Sequence, residues 1–138
     1  MDENLPPIPA LLQAARGAYG AAIRRDVAQC GFEPLPPNGA FVIGALHYEL
    51  SREDIMHERG RAIERGQVIS RLEQSGYVVD DEEGLHLTAK GHECSHVVRD
   101  ATSGVTSQLV EAVGEENFEH FLRGLMTLIE LREAAEQA

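Results

Sequence analysis

The sequence lacks a long apolar run, a secretory leader and a disulfide framework. A membrane-spanning helix needs about 20 consecutive apolar residues, and the 138 residues contain no such run. The opening MDENLPPIPA has no basic segment followed by an apolar one, so we expect a cytoplasmic protein without membrane contact. The two cysteines, Cys30 and Cys94, have no CxxC spacing and are expected to be free thiols. An isolated helical cysteine is more often a small core residue than an oxidant sensor, and the sequence leaves both roles open.

The sequence also lacks the basic excess that is typical of nucleic-acid-binding proteins, because its net charge is −11. Binding depends on where the basic groups lie rather than on their total. Residues 52–71 are less acidic than the rest of the chain, although Glu53, Asp54, Glu58 and Glu64 lie there too. Five of the 12 basic residues fall within this range, namely Arg52, Arg59, Arg61, Arg65 and Arg71.

No phosphate-binding loop, Ser-His-Asp arrangement or cofactor fingerprint is present, so we expect no cofactor and favour a role other than catalysis. One motif of metalloproteases does occur, since residues 92–96 spell HExxH. In that motif two histidines one helical turn apart can bind zinc, and the glutamate can act as a base. A third ligand is not apparent, so we predict no metal. His92 and His96 stay candidates for a sensing or structural metal site, and the alternative is a partly exposed helix face.

Apolar residues at helical spacing predict three helices in the first half of the chain. The first begins near Pro9, because proline suits a first helical turn, and it ends at Cys30. After a proline-rich turn, Asn38 is placed to cap a second helix over residues 38–50. Ser51 begins the third helix, with the spacing of a capping box.

A fourth helix and a hairpin follow. The helix lies between Gly60 and Gly76. Residues 77–79 and 85–87 alternate as two short strands, joined by the acidic turn DDEEG. Short helices followed by a two-stranded wing form a winged helix-turn-helix unit.

Two long helices close the chain. Thr88 is placed to cap the first of them, and Gly114 separates it from the second. The long first and last helices carry more apolar surface than so small a head can cover, and their simplest use is to pair with a second copy across a two-fold axis. We therefore predict a mainly α fold with a small β-wing, in which long N- and C-terminal dimerisation helices flank a winged helix-turn-helix head.

Several segments of this pattern resemble the MarR family of bacterial regulators, over nearly the whole chain. They are LPPIPALLQAARGAYGAAI at the start, LPPNGAFVIGAL entering the second helix, RLEQSGYV at the end of the fourth, and LTAKG after the wing. The final GEENFEHFLRGLMTLIEL is similar in pattern to the family's closing dimerisation helix.

The resemblance implies a homodimeric, cytoplasmic transcriptional regulator. It implies one MarR-like domain over residues 1–138, with the head at residues 34–91 and dimerisation helices at residues 1–33 and 92–138. The fourth helices of the two copies would enter the major groove of double-stranded DNA about one turn apart, roughly 34 Å. Many members of the family also bind a small molecule between head and dimerisation helices, which shifts the population of DNA-competent dimers.

The resemblance also marks candidate site residues. The candidate DNA contacts, chosen because arginine binds guanine edges and phosphates, are Arg59, Arg61, Arg65, Gln67 and Arg71. The alternative is a solvated helix face on which these arginines pair with glutamates. The candidate ligand pocket consists of Tyr19, Phe41, His47 and Tyr48, for which the alternative is simple core packing. His47 stands out because its charge can change near neutral pH.

Two features depart from the family pattern. Family wings usually carry an arginine, whereas the wing tip here has four carboxylates, which repel phosphates. The stretch HERGRAIERGQV does not fit the usual turn before the reading helix and lacks a residue. These departures keep two alternatives open. One is a MarR-like protein that no longer binds DNA and acts through small-molecule binding or protein interaction. The other is an enzyme that uses the inter-helix pocket, with histidine or tyrosine as acid or base.

Overall fold

The computed structural model describes residues 4–48 and 62–137, with side chains from residue 66 onward in the second range. In chain order its elements are α1 (Ile8–Gln29), α2 (Gly39–His47), α3 (Ala62–Gln74), β1 (Val78–Asp81), β2 (Gly84–Leu87), α4 (Ala89–Val113) and α5 (Glu115–Gln137). The predicted mainly α fold with a small wing and long terminal helices is confirmed. α3 is the fourth helix of the sequence pattern, and the third, predicted from Ser51, lies outside the described residues.

The ends of α1 and α2 follow from proline and glycine. Pro7 precedes α1 and a proline lies in its first turn, while Gly31 has a φ of 80° just after the helix, where a side chain would be strained. The predicted side-chain cap of α2 is absent, because Asn38 adopts the left-handed conformation and makes no cap hydrogen bond. Capping needs an extended backbone at that position. Here the chain enters α2 through a turn that Gly39 N closes on Pro36 O at 2.8 Å.

The wing is a tighter hairpin than the sequence predicts. The two strands pair antiparallel out to Asp81 and Gly84, so the turn consists of Glu82 and Glu83 rather than all five residues of DDEEG. Gly84 directly follows the turn with a positive φ of 97°, a conformation that glycine adopts without strain. The Asp81 carboxylate accepts a hydrogen bond from Glu83 N at 2.9 Å and holds the turn closed.

The hydrophobic core lies where α2, α3, the wing and the start of α4 meet. Its largest fully buried side chains include Tyr77, Ile43, Ile69 and Leu72. The chain divides into two compact units, Met1–Thr102 and Ser103–Ala138, and the core cluster lies within the first. No side chain of residues 103–137 is buried. No helix in the described ranges has both the length and the apolar composition needed to cross a bilayer.

Tyr77 connects the loop before α2, the end of α3, the wing and the start of α4. Its ring is buried, and its hydroxyl donates to Glu33 O at 2.7 Å in the loop before α2. Its carbonyl oxygen accepts a hydrogen bond from the backbone N–H of Thr88 at 3.0 Å, and the Thr88 hydroxyl donates its hydrogen to the neighbouring Gly76 O at 2.6 Å. The Thr88 hydroxyl also accepts from Gly91 N at 3.1 Å, which is the predicted cap of α4. The wing therefore closes onto the first turn of α4 at a single residue.

Gly91 makes this closure possible. A β-carbon at position 91 would collide with the carbonyl oxygen of Tyr77 and would crowd the side chain of Leu87. The glycine of the LTAKG segment is therefore required by the close approach of α4 to the backbone before β1.

We expect Gly91→Ala to lower the free energy of unfolding by about 2 kcal/mol or more, because the Tyr77 carbonyl oxygen cannot move aside without loss of its hydrogen bond from Thr88 N. Urea unfolding followed by circular dichroism measures the change. Gly104→Ala on the same helix is the matched control, since a β-carbon there meets open space. Alanine should stabilise that position by about 0.5–1 kcal/mol. Equal unfolding midpoints for the two variants would contradict the packing described.

Candidate functional site

The outward face of α3 is polar and its inward face is apolar. Val68, Ile69 and Leu72 are buried in the core, whereas Gln67 and Arg71, one helical turn apart, are exposed. The two exposed side chains line an open cavity of about 250 Å³. Its other lining residues are Pro36, Pro37, Asn38 and Val68.

The structure describes only part of the predicted DNA-contacting set. Gln67 and Arg71 share one solvent-facing side of α3, as a reading helix requires. Arg65 lies within α3, and its side chain is not described. Arg59 and Arg61 lie outside the described residues. The assignment of the five residues to DNA contact remains a prediction.

The wing tip presents acid to solvent. Residues 80–83 are all exposed, and no lysine or arginine lies between Val78 and Leu87. Oxygen and nitrogen ligand atoms of Asp81, Glu83 and His86 lie within 4.8 Å of one another, a spacing at which they can share a cation. His86 Nε2 lies 3.6 Å from the Asp81 carboxylate, and its Nδ1 lies 3.0 Å from Gly84 O. The three groups are open to water, where acidic side chains are common without an ion.

The predicted pocket residues lie on α1 and at α2. Tyr19 is half-buried on α1, and Phe41 is 40% exposed on α2. At the end of α2 the rings of His47 and Tyr48 meet edge to face, with centroids 5.2 Å apart, and Tyr48 is 73% exposed. A separate apolar cavity of about 200 Å³ opens beside α1, lined by Ile23, Arg24, Val27, Ala28, Pro34 and Leu35.

His47 contacts the histidine-rich start of α4. Its Nε2 lies 2.9 Å from a guanidinium nitrogen of Arg99, its Nδ1 lies 3.5 Å from Ser95 Oγ, and its ring meets that of His96 at 6.1 Å. Desolvation lowers the pKa of His47 below its ordinary value of 6.5, and the positive charges of Arg99, His96 and His92 lower it further. The structure thus joins residues that the sequence suggested for two different sites.

Arg99 and Ser95 are the members of this cluster that the sequence reading missed. Arg99 lies three residues after His96 and seven after His92, so the three share one face of α4. The sequence spacing could have predicted that these three side chains share a face, but it could not have predicted that His47 approaches them from another helix. Both HExxH histidines are exposed. The His47 nitrogen beside them faces the cationic Arg99, an unfavourable neighbour for a metal ion.

The two cysteines differ in environment. Cys94 is fully buried, and burial raises the pKa of its thiol to about 11. Cys30 is exposed just after α1. Because the thiolate is the reactive form, Cys94 is a core residue rather than a reactive thiol.

We expect a thiol reagent at mildly alkaline pH to modify Cys30 in the native protein and to reach Cys94 only after unfolding. Counting the modified thiols by mass spectrometry, with and without denaturant, measures this. Cys30→Ser should leave no reactive thiol in the native state and one in denaturant. Rapid native modification of that variant would show that Cys94 is accessible.

The same fold occurs in solved structures, which include two different proteins named as MarR family proteins. Ligand-free NadR aligns with a TM-score of 0.72 at 21% identity, over 93% of this chain and 99% of NadR. A MarR family protein from Bacillus stearothermophilus aligns with a TM-score of 0.66 at 19% identity, over 91% of this chain and 93% of that protein. The Mycobacterium tuberculosis MarR family protein Rv2887, in complex with p-aminosalicylic acid, aligns with a TM-score of 0.61 at 18% identity, over 89% of this chain and 98% of Rv2887. No family model and no curated protein sequence matches the chain. The chain therefore has the winged-helix fold of MarR family proteins.

Proposed function

We propose that this protein is a transcriptional regulator that binds double-stranded DNA as a homodimer and responds to a small ligand in the cytoplasm. The observation that carries the proposal is the amphipathic α3, which the core holds on one face while Gln67 and Arg71 face solvent on the other. A helix fixed in this way can enter a major groove without unfolding the head. In this proposal residues 34–91 are the reading head, and residues 1–33 and 92–138 form the dimer.

The dimer is supported by apolar side chains that nothing in the described part of the chain covers. On α5 several large apolar residues are at least 43% exposed, and at the start of the chain Leu5 and Ile8 are each 58% exposed. Apolar surface of this extent is typical of an interface. The α5 residues are Phe121, Leu122, Met126, Leu128, Ile129 and Leu131.

Light scattering on the eluting protein should give twice the 15.1 kDa mass of one chain. Met126→Glu should shift it to a monomer at low micromolar concentration, because a carboxylate would be buried without a partner. His120→Glu, at an exposed polar position of α5, is the control and should stay dimeric. A wild-type protein with the mass of one chain would contradict the proposed homodimer.

Arg71→Gln should weaken DNA binding and reduce the slope of log affinity against log salt by about one, if Arg71 contacts a phosphate. Fluorescence anisotropy with the protein's own upstream DNA measures both quantities. Arg123→Gln removes the same charge from α5, far along the chain from the reading head, and should leave the slope unchanged. Equal effects of the two variants would mean that DNA affinity depends on the net charge of the protein and not on a contact made by Arg71.

Glu82→Gln tests the wing in the opposite direction. Removing one exposed carboxylate from the turn should strengthen DNA binding by about threefold at low salt, because one repulsion of the order of 1 kcal/mol or less is lost. An unchanged affinity would show that the wing does not approach the duplex. Absence of any binding by a folded dimer at low salt would reject the DNA-binding proposal.

A second candidate function is favoured by the acidic wing: a MarR-like protein that holds a small molecule or a partner protein without reading DNA. The pairing of His47 with Arg99 and the apolar cavity beside α1 are places where a ligand could bind. Rv2887 has been solved with salicylic acid and with p-aminosalicylic acid, so aromatic carboxylates are the first compounds to screen by thermal shift. Stabilisation without DNA binding would support this candidate.

A further inference from the structure

The contact between His47 and Arg99 exists only when His47 is neutral. A guanidinium has donors and no acceptor, so the His47 Nε2 that lies 2.9 Å from it must carry a lone pair. Ser95 Oγ donates its own hydrogen to His92 O at 2.7 Å, so it can only accept from His47 Nδ1–H at 3.5 Å. Both contacts fix the same neutral tautomer.

Protonation would turn this contact into a repulsion. His47 Nε2 would then carry a hydrogen aimed at another donor, with two positive charges about 3 Å apart. Positive charge on His92 or His96, which share this face of α4, adds to the repulsion. In the described ranges no carboxylate forms an ion pair with His47 or Arg99, although Glu93 and Asp100 lie on the same helix. Nothing described there offsets the added charge.

The two partners lie on different helices, one inside the head and one leading out of it. His47 is the last residue of α2, whose Val42 and Ile43 pack in the core with α3. Arg99 lies on α4, the helix that leads out of the head toward the second unit. A contact between these two residues therefore connects the elements that position α3 with the helix that leaves the head.

We propose that His47 and Arg99 form a proton-operated latch between α2 and α4, closed when His47 is neutral and open when it is protonated. In the regulator proposed above, on which this last step rests, an open latch frees α2 and α3 to move against α4. DNA affinity then falls on acidification, against the general tendency of added positive charge to strengthen DNA binding.

The latch makes the head less stable in acid. The pKa of His47 is lowered in the folded protein, so the unfolded chain binds the proton more readily. The contribution of the contact to stability is therefore fully present above pH 6.5, the ordinary pKa of histidine in the unfolded chain. It is lost as the pH falls through the lower pKa that His47 has in the folded protein.

Nuclear magnetic resonance of the full-length protein tests the latch without DNA. On titration from pH 8 to pH 4.5 the His47 ring should protonate with a midpoint below 6.5, the ordinary pKa of histidine. The backbone amides of residues 95–99 should shift with the His47 midpoint. Arg99→Gln keeps a donor and removes the charge, so it should move the His47 midpoint upward. A His47 midpoint at or above 6.5, or backbone amides that do not follow that midpoint, would overturn the latch.

His47→Gln separates the latch from its effect on DNA. Its side chain can accept from Arg99 at every pH, so any amide shifts that remain in this variant do not come from the latch. DNA affinity of the wild type should fall at least threefold relative to this variant between pH 7.5 and 5.5, whereas His120→Gln should behave as the wild type. Parallel curves for wild type and His47→Gln would overturn the effect on DNA. If neither protein binds DNA at any pH, the regulator proposal fails and the magnetic resonance titration alone decides the latch.

Discussion

The head depends on the contact of an α4 backbone turn with the carbonyl oxygen of Tyr77, which only glycine at position 91 permits. That oxygen accepts a hydrogen bond from the backbone N–H of Thr88, and the phenol of the same tyrosine donates to Glu33 O before α2. The loop before α2, the end of α3, the wing and α4 thus converge on one residue. A buried carbonyl with its donors in place resists displacement, because a lost partner leaves a buried polar group unsatisfied.

The same junction also holds Lys90. Its ammonium group donates to Ser75 O at 2.6 Å, lies 4.6 Å from the centre of the Tyr77 ring, and lies 3.6 Å from the Glu33 carboxylate. Cations are favoured at the carboxyl end of a helix, and Ser75 directly follows α3. The LTAKG segment thus combines a cap, a cation for the preceding helix and a residue without a side chain. This packing accounts for the segment without any appeal to DNA contact.

Local patterns in the sequence predicted the helices and the hairpin that the structure describes, because their periodicities and breaks depend on near neighbours. Gly31, Gly84 and Gly114 end or turn elements at positive φ, as their positions suggested. The conformation of Asn38 was missed, because a left-handed residue and a capping residue look alike in sequence. The His47 cluster could not be predicted, because it depends on how α2 meets α4 across 52 residues. Burial of Cys94 was equally a matter of tertiary packing.

The wing turn contributes to charge without contributing to the core. Glu82 and Glu83 are exposed, and the closure of the turn relies on Gly84 and on the Asp81 carboxylate. Substitutions at exposed sites of this kind usually change stability by less than about 0.5 kcal/mol. Selection can therefore invert the sign of the wing tip in a few mutational steps while the fold stays intact. The electrostatic character of the wing and the architecture that carries it are separately evolvable traits.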